Sequence, residues 1–250
     1  MVGPDLEALA RDFWAGTGRE DTFPREIEQI VVLKLPLTLV RLPQLNVPTI
    51  RQWLQQRGIA TALPADRREL CGCLVAHRGR GLIFVCDADP PEEQRLTIAH
   101  EVAHFVIDYH RPRQQVIQAL GEGIVEVLDG LRWPTLAERA AAVLAHVRLG
   151  PHVHVLPRLG LDEETDMAVG YAEERADRLA LELVAPQACI RAVLKALSTR
   201  QTLTPDIARA VLATHFGLPG YAFTESVRRM INPHSSSAIA DIVARIRRGR

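Results

Sequence analysis

The sequence predicts an α+β fold, mostly helical, with a small antiparallel sheet packed on one central helix and helical segments at both ends. Three observations predict it. Two β-prone runs flank a glycine-containing connection, a helix start signal follows them directly, and apolar residues recur at helical spacing through most of the remaining chain.

In chain order, residues 5–14 place Leu6, Leu9, Ala10 and Phe13 on one helical face. From Thr22 to Pro48 the chain is punctuated by Pro24, Pro36, Pro43 and Pro48, which predicts short helices with bends. Thr49 to Arg57 reads as a helix packing through Ile50, Trp53 and Leu54 and stopping near Gly58. Leu70 to His77 and Leu82 to Cys86 read as a β-hairpin, because the glycines of Arg78-Gly79-Arg80-Gly81 allow the positive φ that a tight connection needs. In Asp89-Pro90-Pro91-Glu92, Asp89 is placed as an N-cap acceptor, with proline at the first helical position and glutamate three residues after the cap. The helix that starts there is expected to run to about Tyr109. Gln114 to Val127 and Leu136 to Val147 are read as helices joined through Gly130 and Pro134. A further helix from about Glu163 to Val184 carries the stripe Ala172, Ala176, Leu179, Ala180 and Leu183, with Pro186 just past its end. More helices follow, and the terminal Arg245, Arg247, Arg248 and Arg250 read as a solvated end.

These elements divide into an N-terminal helical region (1–64), a central domain (65–190) with an insertion around 111–160, and a C-terminal helical region (191–250). Lys+Arg and Asp+Glu both total 30 among 250 residues, so no global basic field draws the chain to nucleic acid or acidic lipid. The helix at 49–57 sits in surroundings that resemble a helix-turn-helix. Residues 1–60, however, hold seven basic and seven acidic side chains and no basic stripe, which argues against direct DNA binding. Four scattered cysteines, Cys71, Cys73, Cys86 and Cys189, do not make a disulfide scaffold and point to a reducing compartment. The first residues lack a cationic region followed by an apolar run, and the most apolar stretch, Ile30 to Val40, is broken by Lys34 and Pro36. A cytoplasmic location without a membrane span is the expectation.

The chemistry concentrates in His100-Glu101-Val102-Ala103-His104. Imidazoles four residues apart stand about 5.4 Å apart along one helical face, so both nitrogens can meet one ion. Zinc brings the pKa of a bound water from 15.7 toward about 7, and Glu101 is placed to take its proton during attack on a peptide carbonyl. Zinc sites that perform catalysis use three protein ligands and keep a position open, so a third ligand is required. His110 lies about 600° further round the helix than His104, some 120° from its face, and is disfavoured. Glu173 and Asp177 share a face at i, i+4. One of them can ligate zinc while the other accepts the free N–H of a ligand histidine. The assignment is Glu173 as ligand and Asp177 as the histidine's partner, since Glu174 points about 100° away. His152, His154 and Tyr171 are equally open as donors to the developing oxyanion. Ligand type alone also admits manganese or iron.

Arg95-Leu96-Thr97-Ile98-Ala99-His100-Glu101-Val102-Ala103-His104-Phe105, preceded by the strand Gly81–Val85, resembles the metal helix of the ImmA/IrrE family of zinc metallopeptidases. Glu173 to Pro186 resembles that family's second block, in which Glu and then Ala-Asn or Ala-Asp lead through an apolar helix to proline. The resemblance covers about residues 65–190 and implies a zincin-like metallopeptidase domain, Zn2+ held by His100, His104 and Glu173, and Glu101 as general base. It also implies a protein substrate, a transcriptional repressor, cleaved at an internal peptide bond. The enlarged link from about Arg111 to Gly160 departs from the family pattern and reads as a lid or exosite.

Two other readings fit parts of the pattern. Peptide deformylases share the histidine motif and take a cysteine from a Gly-Cys-Leu segment, as in Gly72-Cys73-Leu74, but the second block would then have no role. Cys71 and Cys73 read more simply as small residues of the core. A non-catalytic regulatory binding module with a zinc site is the alternative function. Glu101 argues against it, since a purely structural site does not need that carboxylate.

Overall fold

The structure, a computed structural model, describes residues 4–64, 67–144, 147, 150–158, 167–199 and 203–231. It is mixed α+β and about 60% helical. The elements run α1 (Pro4–Trp14), α2 (Ile27–Lys34), β1 (Leu37–Leu42), α3 (Val47–Gln55), β2 (Leu70–His77), β3 (Arg80–Cys86) and α4 (Pro91–His104). A π-helical turn (Phe105–His110) prolongs α4 and leads to α5 (Arg111–Leu120), α6 (Val125–Leu128), α7 (Leu136–Leu144) and β4 (His152–Pro157). The remaining elements are α8 (Met167–Val184), α9 (Gln187–Ser198), α10 (Pro205–Phe216) and α11 (Thr224–Ile231). Among the described residues no helix is long and apolar enough to cross a membrane. The expected start at Glu163 of the helix that becomes α8, and the terminal arginines, lie outside the described residues.

The sheet corrects the expectation of a purely antiparallel one. Its order is β1-β3-β2-β4, with β2 antiparallel to both neighbours and β1 parallel to β3. The β2–β3 hairpin matches the expectation, its turn formed by Arg78 and Gly79 at φ 52° and 76°. The two additional strands are both edges. Strand β1 lies where prolines predicted bent helices, but Pro36 precedes the strand and its carbonyl accepts from Gly81 N at 2.9 Å, a position where a missing N–H costs nothing. Strand β4 arises from the enlarged link. With β1 between α2 and α3, these helices do not form a helix-turn-helix.

Helix α3 begins two residues before the expected Thr49, because Asn46 and Thr49 satisfy each other's backbone N–H groups in a capping box. At α4 the cap differs from expectation. Pro90 is the N-cap and makes no side-chain cap bond, while both Asp89 carboxylate oxygens accept from Arg158 (2.8 and 3.0 Å) at the end of β4. The anticipated helix Gln114–Val127 is interrupted at Gly121, whose φ of 80° ends α5.

Side-chain alternation along the sheet gives its two faces different partners. Leu74, Ala76, Ile83 and Val85 face a large cluster with Ile98, Val102, Leu179 and Leu183 from α4 and α8. Cys73, Val75 and Phe84 face α3 through Ile50 and Leu54, with the half-buried Trp53 edge-on to Phe84 at 5.3 Å. The end of α8 is fastened by the last residue of α1 and by the loop that follows it. Trp14 Nε1 and Arg25 Nη1 both donate to the Leu183 carbonyl at 2.7 Å, and the guanidinium lies 4.7 Å from the indole centroid. An otherwise orphaned helix-end carbonyl is thereby satisfied in a buried place.

Candidate metal centre

Two helices bring the candidate ligands together because small residues line both. Ala99 and Ala103 of α4 and Ala176 and Ala180 of α8 are at most 1% exposed within one core cluster, and side chains of this size let two backbones approach closely. On these helices His100, His104 and Glu173 converge. The Nε2 atoms of the histidines are 3.2 Å apart, and Glu173 places Oε2 3.4 Å from His100 Nε2 and Oε1 3.5 Å from His104 Nε2. Asp177, one turn after Glu173, accepts from His100 Nδ1 at 2.9 Å, as its i, i+4 spacing predicts.

Sequence reasoning did not single out Asp108. It stands four residues after His104 within the π-helical turn and accepts from His104 Nδ1 at 2.7 Å. The spacing alone was a usable signal. His154, one of three open candidates at the sequence level, also enters the site. In β4 it pairs with Leu74 of β2, so it shares the sheet face that carries α4. Its ring stacks on His104 with centroids 3.7 Å apart, its Nε2 is 3.0 Å from Glu173 Oε1, and its Nδ1 is 2.9 Å from Glu101 Oε2. The alternation His-Val-His-Val over 152–155 was the signal that this segment is a strand with both histidines on one face. Tyr171 is largely exposed on α8 beside Arg175, and His110 stacks on Phe105 away from the centre. Cys73 is fully buried on the opposite sheet face, which removes it as a ligand.

His100, His104, His154 and Glu173 thus form a group whose ligand atoms all lie within 4.8 Å of one another. The donor set fits a metal ion on two grounds. Donors about 2.0–2.1 Å from a tetrahedral zinc stand about 3.3 Å apart, close to the 3.2 Å between the Nε2 atoms of His100 and His104 and the 3.0–3.5 Å from the three histidines to the Glu173 oxygens. In addition, each histidine commits Nδ1 to a carboxylate and turns Nε2 toward the anionic Glu173, so the centre calls for positive charge, which ring protons supply in the metal-free chain and an ion held by the same nitrogens would supply in their place.

The electrostatics of the metal-free group express the same demand. Burial pulls the His100 ring down, but hydrogen bonding with Asp177 and Glu173 outweighs it and raises its pKa to about 9. For His154, burial is likewise outweighed by the charge and hydrogen bond of Glu101 and by Glu173, giving about 10. Glu173 moves oppositely: burial raises it, and the three histidines together hold it far below the usual carboxylate range. Glu101 is completely buried, yet His154 lowers its pKa against the effect of burial. Its Oε1 is buried without a hydrogen-bond partner and faces Gly72 on β2, a strand position with no Cβ to block it.

Beside the group opens a cleft of about 1040 Å³, lined among others by His104, His154, Glu173, Arg111, Tyr171 and Arg175. No family model matches the chain, and a comparison with curated proteins finds no match either.

Proposed function

We propose that this chain is a zinc-dependent metallo-endopeptidase of the ImmA/IrrE kind, with a zincin-like central domain, that hydrolyses a peptide bond in a protein substrate, a transcriptional repressor being the class implied by the sequence resemblance. The observation that carries this reading is the convergence of His100, His104 and Glu173 on one point with Glu101 next to them on the same helix.

His100, His104 and Glu173 would hold the ion. Zinc, when bound, supplies Lewis acidity that polarises a carbonyl and brings the pKa of water down to about 7. Asp177 and Asp108 fix the tautomers of His100 and His104 and aim their Nε2 atoms. Glu101 serves as general base: its carboxylate takes the proton of the attacking water and returns it to the amide nitrogen of the departing strand. Strand β4 is the sheet edge beside the cleft, and among the described residues its outer side pairs with no other strand. An extended substrate segment is suited to lie along that edge, with main-chain hydrogen bonds giving register and the cleft receiving side chains.

The test is metal content and hydrolysis together. Zinc-reconstituted chain should retain about one zinc per molecule, as should Cys73→Ala, while Glu173→Ala, left with imidazoles alone, should bind it on the order of 10-fold or more weakly and lose zinc-dependent peptide hydrolysis. Failure of the unaltered chain to retain metal would remove the peptidase reading and leave a helical binding module.

A further inference from the structure

We propose that His154 is a fourth protein ligand that closes the metal site in the resting chain, so that hydrolysis requires this ring to swing out into the cleft. The inference rests on the peptidase reading above and concerns the same site.

Three histidines share one construction. His100 and His104 present Nε2 to the centre while Nδ1 donates to Asp177 and Asp108, and His154 repeats this with Nδ1 on Glu101 and Nε2 3.0 Å from Glu173. A ring oriented by a carboxylate behind it and facing the centre with its other nitrogen is built as a ligand. Three protein ligands leave zinc an open position for water or a substrate carbonyl, whereas four close it. The carboxylate behind His154 is moreover the proposed base. With Oε2 bound to His154 and the side chain 0% exposed, Glu101 has no free path to a water in this arrangement.

Release needs no unfolding. His154 sits on an edge strand, its side chain is 13% exposed, and it borders the 1040 Å³ cleft. Rotation of one side chain therefore frees the fourth position and the base together. A substrate strand docking on β4 approaches the very element that carries the ring.

The experiment replaces zinc by cobalt(II), whose visible spectrum reports coordination, and titrates acetohydroxamate as a small competing ligand against the unaltered chain, His154→Ala and His154→Gln. Both variants should take up acetohydroxamate at concentrations about 10-fold or more below the unaltered chain, and both should bind zinc on the order of 10-fold or more weakly. Equal response of all three chains, with unchanged zinc affinity, would overturn the inference while leaving the peptidase site standing. Absence of metal binding by the unaltered chain would overturn both. Should neither variant fold, the titration of the unaltered chain decides alone: a spectral change saturating with micromolar acetohydroxamate means an open position and refutes closure, and resistance to millimolar probe supports it.

Discussion

Glycine at position 72 is the point where the sheet admits α4, the helix that carries His100, Glu101 and His104, and Gly72→Ala tests this directly. A Cβ there would lie 2.7 Å from Glu101 Oε1, 2.7 Å from Thr97 Cγ2 and 3.2 Å from Glu101 Cγ. The backbone conformation at Gly72 is one that L residues adopt, so the cost is steric alone. Neither contact can yield easily. Thr97 is a short buried side chain on α4, and Glu101 is enclosed and held by His154. Either α4 lifts off β2 or the carboxylate is displaced. Overpacking of this kind costs about 1–3 kcal/mol. For a chain of this size each kcal/mol is worth about 2–4 °C, so Tm should fall by about 2–12 °C. His100 lies between the two clashing residues, so zinc affinity should drop as well, by about 10-fold. The assays are thermal unfolding with and without zinc and competition with a chromophoric chelator. Gly170→Ala on α8 is the control: its Cβ meets nothing within 4 Å, and the helix gains about 0.5–1 kcal/mol. A Gly72→Ala chain with unaltered Tm and zinc affinity would refute the packing argument.

The carboxylates behind the ligand histidines give a graded prediction. Asp108→Asn and Asp177→Asn should each weaken zinc binding by about 10–100-fold, with the larger loss at Asp108, whose side chain is 23% exposed against 71% for Asp177; equal affinities for all three chains would contradict the orienting role. His110 supplies a pH prediction away from the metal. Burial, and then the charge of Arg113, lower its pKa in the fold, so its contribution to stability is complete above the unfolded value near 6.5 and is lost as pH falls through the folded value. His110→Phe keeps a ring on Phe105 and removes a buried Nδ1 without a partner, so its Tm advantage should widen between pH 7.5 and 5.5. A constant difference across that range would show that His110 does not titrate as described.

Local signals carried the parts of this molecule that depend on nearby residues. The hairpin was legible because alternation and glycine positions are local, and the pairing of Glu173 with Asp177 because a helix fixes which residues share a face. The edge strands β1 and β4 were not legible in the same way. Pro36 and Pro43 flank β1, Pro151 precedes β4 and Pro157 is its last residue, residues that in a central strand would argue against a ladder but are tolerated at an edge. The role of His154 depends on the β2–β4 register, in which it stands opposite Leu74. A slip of one residue would turn Val153 or Val155 to the helix instead, and nothing local in 152–157 determines that register. Asp89 failed as a cap for a related reason: its partner, Arg158, is 69 residues away.

Hydrolysis with Glu101 as the base is open to mass-spectrometric comparison of zinc-loaded unaltered chain, His154→Ala and His154→Ala combined with Glu101→Gln, each incubated with a library of denatured-protein peptides. Zinc-dependent cleavage by His154→Ala, reduced about 10²–10⁴-fold when Glu101→Gln is added while zinc content stays the same, is the predicted result. Cleavage unaffected by Glu101→Gln, or no zinc-dependent cleavage by any of the three chains, would contradict it.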